Sequence, residues 1–170
     1  MCTRKILLSF LIIAGICLTG LASASEKPNQ SPRKIMNSYR WEKGFISLSF
    51  PVFIAKIALS KEDQEVRDLL QDIRKIRILF CENAGTHSDA VKNCIDDFEA
   101  FFHHSSYVDL VNVIDNKDNI KIKGIPDKNC FQDMVLIVSD EHELVVVHLI
   151  GSVNLEAFRR LIGEKEIVSL

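Results

Sequence analysis

Two apolar runs near the C-terminus dominate the pattern of hydrophobic and polar positions. The first covers residues 134–138 and the second residues 144–150, and both are rich in β-branched side chains. A polar tetrapeptide, residues 139–142, separates them. Runs of strand length joined by a short polar turn are typical of a buried β-hairpin. The pattern therefore predicts a hairpin at the centre of the fold.

Further strands are predicted elsewhere along the chain by alternation of apolar and polar positions. They cover residues 45–50, 75–81, 107–114 and 120–125. In the last of these, Lys121 and Lys123 alternate with isoleucines. We expect this strand near an edge of the sheet, with its lysines turned to water, where they hinder edge-to-edge association.

Helical periodicity marks the remaining segments. A helix is predicted from a capping box at Ser60–Asp63, a second over residues 88–102 with one broad apolar stripe, and a third over residues 155–162 between Asn154 and Gly163. A short helix is also expected after Pro51. The fold class predicted is α+β: an antiparallel β-meander of four to five strands with amphipathic helices packed on one face.

The first 24 residues have the pattern of a secretory signal peptide. Arg4 and Lys5 precede the apolar stretch 6–21, and Ala22-Ser23-Ala24 forms a small-residue cleavage site. Residues 25–44 are then expected to be a flexible polar lead and residues 45–170 a single α+β domain. The alternatives are a retained membrane anchor over residues 6–24, or lipidation of Cys17, which Ile16 before it disfavours.

Charge limits the kinds of partner. The chain of 170 residues has a formal net charge of −2, and removal of the signal changes it to −4 because Arg4 and Lys5 are lost with no acidic residue. A mildly acidic surface argues against nucleic acid as a partner, since phosphate binding needs clustered positive charge. A protein or a component of the cell envelope remains, and a homodimer is one form of this.

Cleavage leaves three cysteines, an odd number for an oxidising compartment. Cys81, Cys94 and Cys130 are either small buried hydrophobic residues or a Cys81–Cys94 disulfide with Cys130 free. Cys81, His87 and Cys94 are also residue types that bind zinc, but they lack the tight spacing of structural zinc sites. We therefore assign no metal ligand, no cofactor and no catalytic residue from motifs.

Three further residues are candidates for interaction. Tyr39 and Trp41 lie among basic residues, a combination that docks on lipid headgroups or on a partner, although Trp41 at the edge of the core is the simpler interpretation. His148 interrupts an apolar strand. A catalytic role for it requires a neighbouring group such as Cys130 or Asp133, and a half-buried histidine with one satisfied hydrogen bond is the alternative.

Four stretches together resemble a known family. They are residues 76–81, 98–102, 107–110 and 144–155. In these the chain is similar to small exported proteins of Bacteroides-type bacteria, grouped as a domain-of-unknown-function family numbered forty-two fifty-two, over residues 45–162. The resemblance implies the fold and export but no activity and no site residues. Many members look like lipoproteins, and this chain departs from them at Cys17.

These observations lead to three hypotheses. The first is a periplasmic or extracellular non-enzymatic module that binds a protein or the cell envelope, with membrane contact only through an uncleaved or lipidated N-terminus. The second is a small-ligand carrier or enzyme using the Cys81, His87 and Cys94 region or His148. The third is an envelope stress regulator that contacts a membrane partner. If the helices cover one face of the sheet only, the other face is where we expect a partner or a second copy.

Overall fold

The computed structural model describes residues 30–58, 64–115 and 118–162, which are built on a six-stranded antiparallel sheet. The strands are β1 (Phe45–Pro51), β2 (Ile73–Glu82), β3 (Val108–Ile114), β4 (Asn119–Asp127), β5 (Cys130–Ser139) and β6 (Glu143–Asn154). They lie side by side in the order β1-β2-β6-β5-β4-β3. Strands β3 to β6 form a meander, and β2 joins it by pairing with β6.

The hairpin predicted at the centre of the fold is confirmed as β5 and β6. The Asp140 carboxylate holds its turn, because Oδ1 accepts hydrogen bonds of 2.6 Å from the backbone N–H groups of His142 and Glu143. These two bonds lower the pKa of Asp140. Both hairpin strands are interior, with β4 and β2 as their outer neighbours, as their apolar character on both faces requires.

Five helices in the described residues pack on the two faces of the sheet. They are α1 (Pro32–Tyr39), α2 (Val52–Ala58), α3 (Gln64–Leu69), α4 (Ser88–His103) and α5 (Leu155–Ile162). The face under α1 and α4 is called the covered face. Its core includes Phe98 and Cys94 of α4, both completely buried, against Leu79 of β2 and Val146 of β6.

The opposite face is covered at one end only. There α2, α3 and α5 contribute Val52, Leu69 and Phe158 to a second core, which also contains Ile76 and Met134 from the sheet. These three helices, called the ledge, have at most eight residues each and lie over one end of the strands.

The predicted fold class is confirmed as α+β with an antiparallel sheet, and two details of it are corrected. The sheet has six strands rather than four to five, because β1 and β3 both join it as edge strands. Helices lie on both faces rather than one. The reason is visible in β2, where Leu79 and Cys81 enter the first core while Ile76 and Ile78, of opposite parity, enter the second.

The N-terminal region also differs in part from the flexible lead expected over residues 25–44. Residues 32–39 form α1, which begins with Pro32 after the N-cap Ser31, whose hydroxyl accepts a hydrogen bond from the Lys34 N–H. Ile35 and Met36 anchor this helix in the first core. The capping box at residues 60–63 lies outside the described residues, as do the signal sequence and Gly163.

In the described part of the chain, the helices are all too short or too polar to cross a membrane.

Gly151 sits where β2 and β6 shift register. Its φ is +141°, and it pairs with Ile73 beside the irregularity. A Cβ at this position would lie 2.5 Å from the Asp72 carbonyl oxygen and 2.8 Å from the Ile73 Cα. Both neighbours are backbone atoms, so they cannot rotate away as a side chain does.

Substitution of Gly151 by alanine should therefore destabilise the fold strongly. We expect Gly151→Ala to lower the free energy of unfolding by roughly 3 kcal/mol, from backbone strain and displacement of β2. Urea denaturation measures this. Gly85→Ala is the matched control, because its Cβ meets only the Glu141 carbonyl oxygen, at 3.3 Å, without a left-handed φ. Equal losses in the two variants would contradict this account of Gly151.

Candidate functional site

The part of the sheet that the ledge leaves uncovered is an unbroken apolar surface. Two rows of side chains cross all six strands in register. The first row is Ile46, Phe80, Val145, Val138, Ile120 and Val113; the second is Leu48, Ile78, Val147, Leu136, Ile122 and Val111. We call these twelve side chains the open face. None of them carries a polar atom.

Exposure separates the open face from the neighbouring row under the ledge. In that third row Ile76 and Met134 are buried. In the open face Ile46 and Leu48 are 53% and 52% exposed, and Val111 is buried in the second core. The other nine are half-buried, and four of them pack against the second core: Ile78, Val113, Ile122 and Val147. Six strands about 4.8 Å apart and two rows about 7 Å apart give a footprint of roughly 400 Å². Apolar patches of this size on single chains are often functional.

Polar side chains of the edge strands point away from the open face. In β1, Ser47 and Ser49 are exposed on the covered side of the sheet, while Ile46 and Leu48 lie on the open face. An edge strand exposed to water on both sides would not need to alternate in this way. The alternation shows that the sequence distinguishes the open face from an ordinary solvent-facing surface.

The lysines of β4 follow the same rule, and the expectation that they face water is wrong. Lys121 pairs with Glu99 of α4. Lys123 is buried, with its Nζ 2.7 Å from the Asp109 carboxylate and 5.1 Å from the centre of the Phe102 ring. Both lysines therefore lie on the covered face, where helix α4 and strand β3 supply partners for their charges.

A second candidate site lies on the covered face, around His148. Its Nε2 makes a hydrogen bond with Oδ1 of Asp133, and the His148 side chain is only 4% exposed. Arg77 lies directly opposite His148 on β2. Tyr107, buried at the end of the connection from α4, completes a group of four that we call the polar cluster.

Backbone geometry directs Asp133 into this cluster. The β4–β5 register shifts between Gly124 and Ile125, and Asp133 is the extra residue of β5 at this bulge, with φ of +61°. Aspartate tolerates this left-handed conformation better than most residues. The bulge aims the carboxylate at His148, fifteen positions away in sequence.

The polar cluster is buried at Tyr107 and His148, while the Asp133 side chain is 37% exposed. Burial, followed by the charge of Arg33, lowers the pKa of Arg77. Burial, followed by the charge of Asp133, raises the pKa of Tyr107. Three buried atoms of the cluster, the Arg77 Nε, the Tyr107 hydroxyl and the His148 Nδ1, lack a hydrogen bond of good geometry. All three atoms are inaccessible to solvent.

The other candidates from the sequence are not brought together. The Tyr39 hydroxyl donates a hydrogen bond of 2.8 Å to Asp97, and its ring packs against Phe45. Trp41 is 82% exposed and stacks under the Arg40 guanidinium. One aromatic is thus part of the packing and the other is on the surface, and their interaction role stays a prediction.

The cysteines are free thiols in the structure. Cys81 and Cys94 are both completely buried in the first core. Burial, followed by the charges of Asp97 and Cys81, raises the pKa of Cys94 to about 12. The predicted disulfide between them stays a prediction. Among the described residues no group of three or more His, Cys, Asp or Glu side chains is placed to hold a metal ion.

Comparison with known proteins gives one family. The family described as "Domain of unknown function (DUF4252)" matches residues 39–161. No curated protein and no solved structure matches the chain. The matched range contains the whole sheet, the open face and the polar cluster.

The pairing of Asp133 with His148 predicts a clear effect on stability. Asp133→Ala should lower the free energy of unfolding by roughly 2 kcal/mol, because it leaves a buried imidazole without this partner. Asp133→Asn should retain most of the stability, since asparagine tolerates a positive φ and its amide oxygen accepts a hydrogen bond. Urea denaturation measures both.

Lys128→Ala is the matched control for Asp133→Ala. Lys128 is exposed and has φ of +54°, so its variant reports any cost of alanine in the left-handed conformation. If Asp133→Ala costs no more than Lys128→Ala, the hydrogen bond to His148 does not stabilise the fold.

Thiol reactivity should distinguish the three cysteines. In native protein lacking residues 1–24, a thiol reagent at pH 8 should modify Cys130 and leave Cys94 unmodified. Only the thiolate reacts, and a thiol with a pKa of about 12 is roughly 0.01% ionised at that pH. We expect three reactive thiols after unfolding without a reductant. A count of one, with Cys130 as the reactive thiol, would instead establish the Cys81–Cys94 disulfide that the sequence left open as an alternative.

Proposed function

Since the chain belongs to the DUF4252 family, whose function is not known, we propose a function from its geometry: an exported, non-enzymatic module that binds another protein through the open face. One observation carries the proposal, which is the pair of register-matched rows of apolar side chains across all six strands.

The physical reason for docking is the unfavourable free energy of apolar side chains of the open face in contact with water. Removal of apolar surface from water is worth about 2.5 kcal/mol for each 100 Å² of accessible area, before the costs of association. The chain also directs Lys121 and Lys123 to the opposite side, where each needs a carboxylate partner. Both features favour an open face that is covered by a binding partner in the functional state.

The shape of the open face favours a protein over a small ligand. Small-molecule sites are concave and enclose most of the ligand, with a few polar groups to orient it. The open face is a broad strand surface without a polar atom among its twelve side chains. The occupant we propose is therefore a protein that presents a similarly broad apolar surface.

The polar cluster gives the enzyme hypothesis less support. A general base has to reach the proton of a substrate. His148 already pairs with Asp133 through Nε2, and its Nδ1 is inaccessible to solvent. We assign the cluster a role in holding β2, β5 and β6 in register on the covered face.

Export is the second part of the proposal. Its support is the order of basic, apolar and small residues in positions 1–24, which lie outside the described residues. On this proposal the mature chain starts at Ser25 and works in the periplasm or outside the cell.

Site-specific photo-cross-linking in the expressing cell tests both parts. A photo-reactive amino acid in place of Leu48 should form a covalent adduct with a protein, because Leu48 lies on the open face. The same amino acid in place of Ser47, the adjacent exposed residue on the opposite side of β1, is the control and should form far less.

Mass spectrometry of the same sample reads the N-terminus, which should be Ser25. Equal adducts at the two positions, or none at Leu48, would contradict docking through the open face. A chain that keeps residues 1–24 would contradict cleavage.

A further inference from the structure

We propose that the protein covering the open face is a second copy of this chain, packed sheet against sheet as a two-fold symmetric dimer. The inference rests on the proposed function and names the partner for the same surface. The charge, area and shape of that surface favour a second copy.

The distribution of charge makes the open face complementary to itself. In a two-fold interface the same patch meets itself, so a charge near its centre faces a like charge. The twelve side chains of the open face include no charged group. The lysines nearest to them in sequence, Lys121 and Lys123, are neutralised on the other side of the sheet by Glu99 and Asp109.

The open face supplies about half of the area that a specific dimer buries on each partner. A specific interface buries about 800 Å² on each partner, with an apolar core surrounded by a polar rim. A footprint of roughly 400 Å² supplies a core of that kind. β-Branched side chains, which make up most of the two rows, are suited to interdigitation between facing sheets about 10 Å apart.

The ledge gives the two copies an interlocking shape. Facing sheets pack about 10 Å apart, and a helix layer on a sheet occupies a similar depth. The sheet of a second copy over the open face therefore lies in the same layer as the ledge and abuts it. The two-fold axis then places the ledge of each copy beyond the far end of the other's open face.

Helix α2 of the ledge is exposed in a way that fits this arrangement. Phe53 is 58% exposed, and Ile54 and Ile57 are also exposed. The helix contacts β1 and β2, the strands that carry Leu48 and Ile78 of the open face. In the dimer the exposed side chains of α2 contact the end of the second copy, which enlarges the interface beyond the two rows.

Sedimentation equilibrium of the chain purified after export tests the dimer. We expect a dimer whose dissociation constant rises roughly a hundredfold in Leu48→Lys, because the substitution buries a charge in an apolar interface. Ser47→Lys is the matched control on the same edge strand and should leave the dissociation constant unchanged. Phe53→Lys should weaken the dimer as well if the ledge contacts the second copy. Circular dichroism checks that each variant is folded.

Other results separate the failure of the inference from the failure of the proposed function. A wild-type monomer at all concentrations overturns the dimer. If Leu48 then cross-links to a different protein, docking through the open face still holds. A dimer that Leu48→Lys and Ser47→Lys affect equally is formed by another surface and also overturns the inference.

Discussion

Strands β2, β5 and β6 carry apolar side chains on both of their faces, and the need to cover two hydrophobic faces governs the rest of the structure. Helix α4, with α1 beside it, supplies one complete layer. The second layer is built from three short helices that reach only part of the other face. What remains is the open face. The first core is thus covered by a full helix layer, whereas the second core continues into the open face.

The alternation of residues predicted much of this arrangement, because a strand buried on both sides has a recognisable composition. The hairpin of β5 and β6, the helix α4 and the antiparallel sheet all follow from periodicity. A wholly uncovered face was expected only if the helices packed on one face, and the ledge covers part of that face. Period-two alternation does not say which face a helix will cover, and this is why the orientation of Lys121 was predicted wrongly. Its partner Glu99 lies on another element, and only the tertiary fold brings the two together.

The polar cluster illustrates a second limit of sequence reasoning. His148 interrupts an otherwise apolar strand in the sequence. Arg77 lies on the same side of β2 as the buried residues Leu79 and Cys81, so the alternation pattern could have placed both side chains on the buried face. The contact with Asp133 depends on a bulge that adds one residue to β5 relative to β4 and leaves that residue with a positive φ. A strand pattern does not encode such a shift. Buried polar groups tolerate few alternative pairings, so the cluster favours one register of the three central strands.

The order of the strands also determines when the sheet can close. β2 pairs with β6, although α4 and three other strands separate them in the chain, and β6 ends only at Asn154. This seam at the centre of the sheet is a contact between distant parts of the sequence, which forms late because a long loop must close first. A ribosome has therefore to synthesise nearly all of the chain before β1 and β2 find their neighbour.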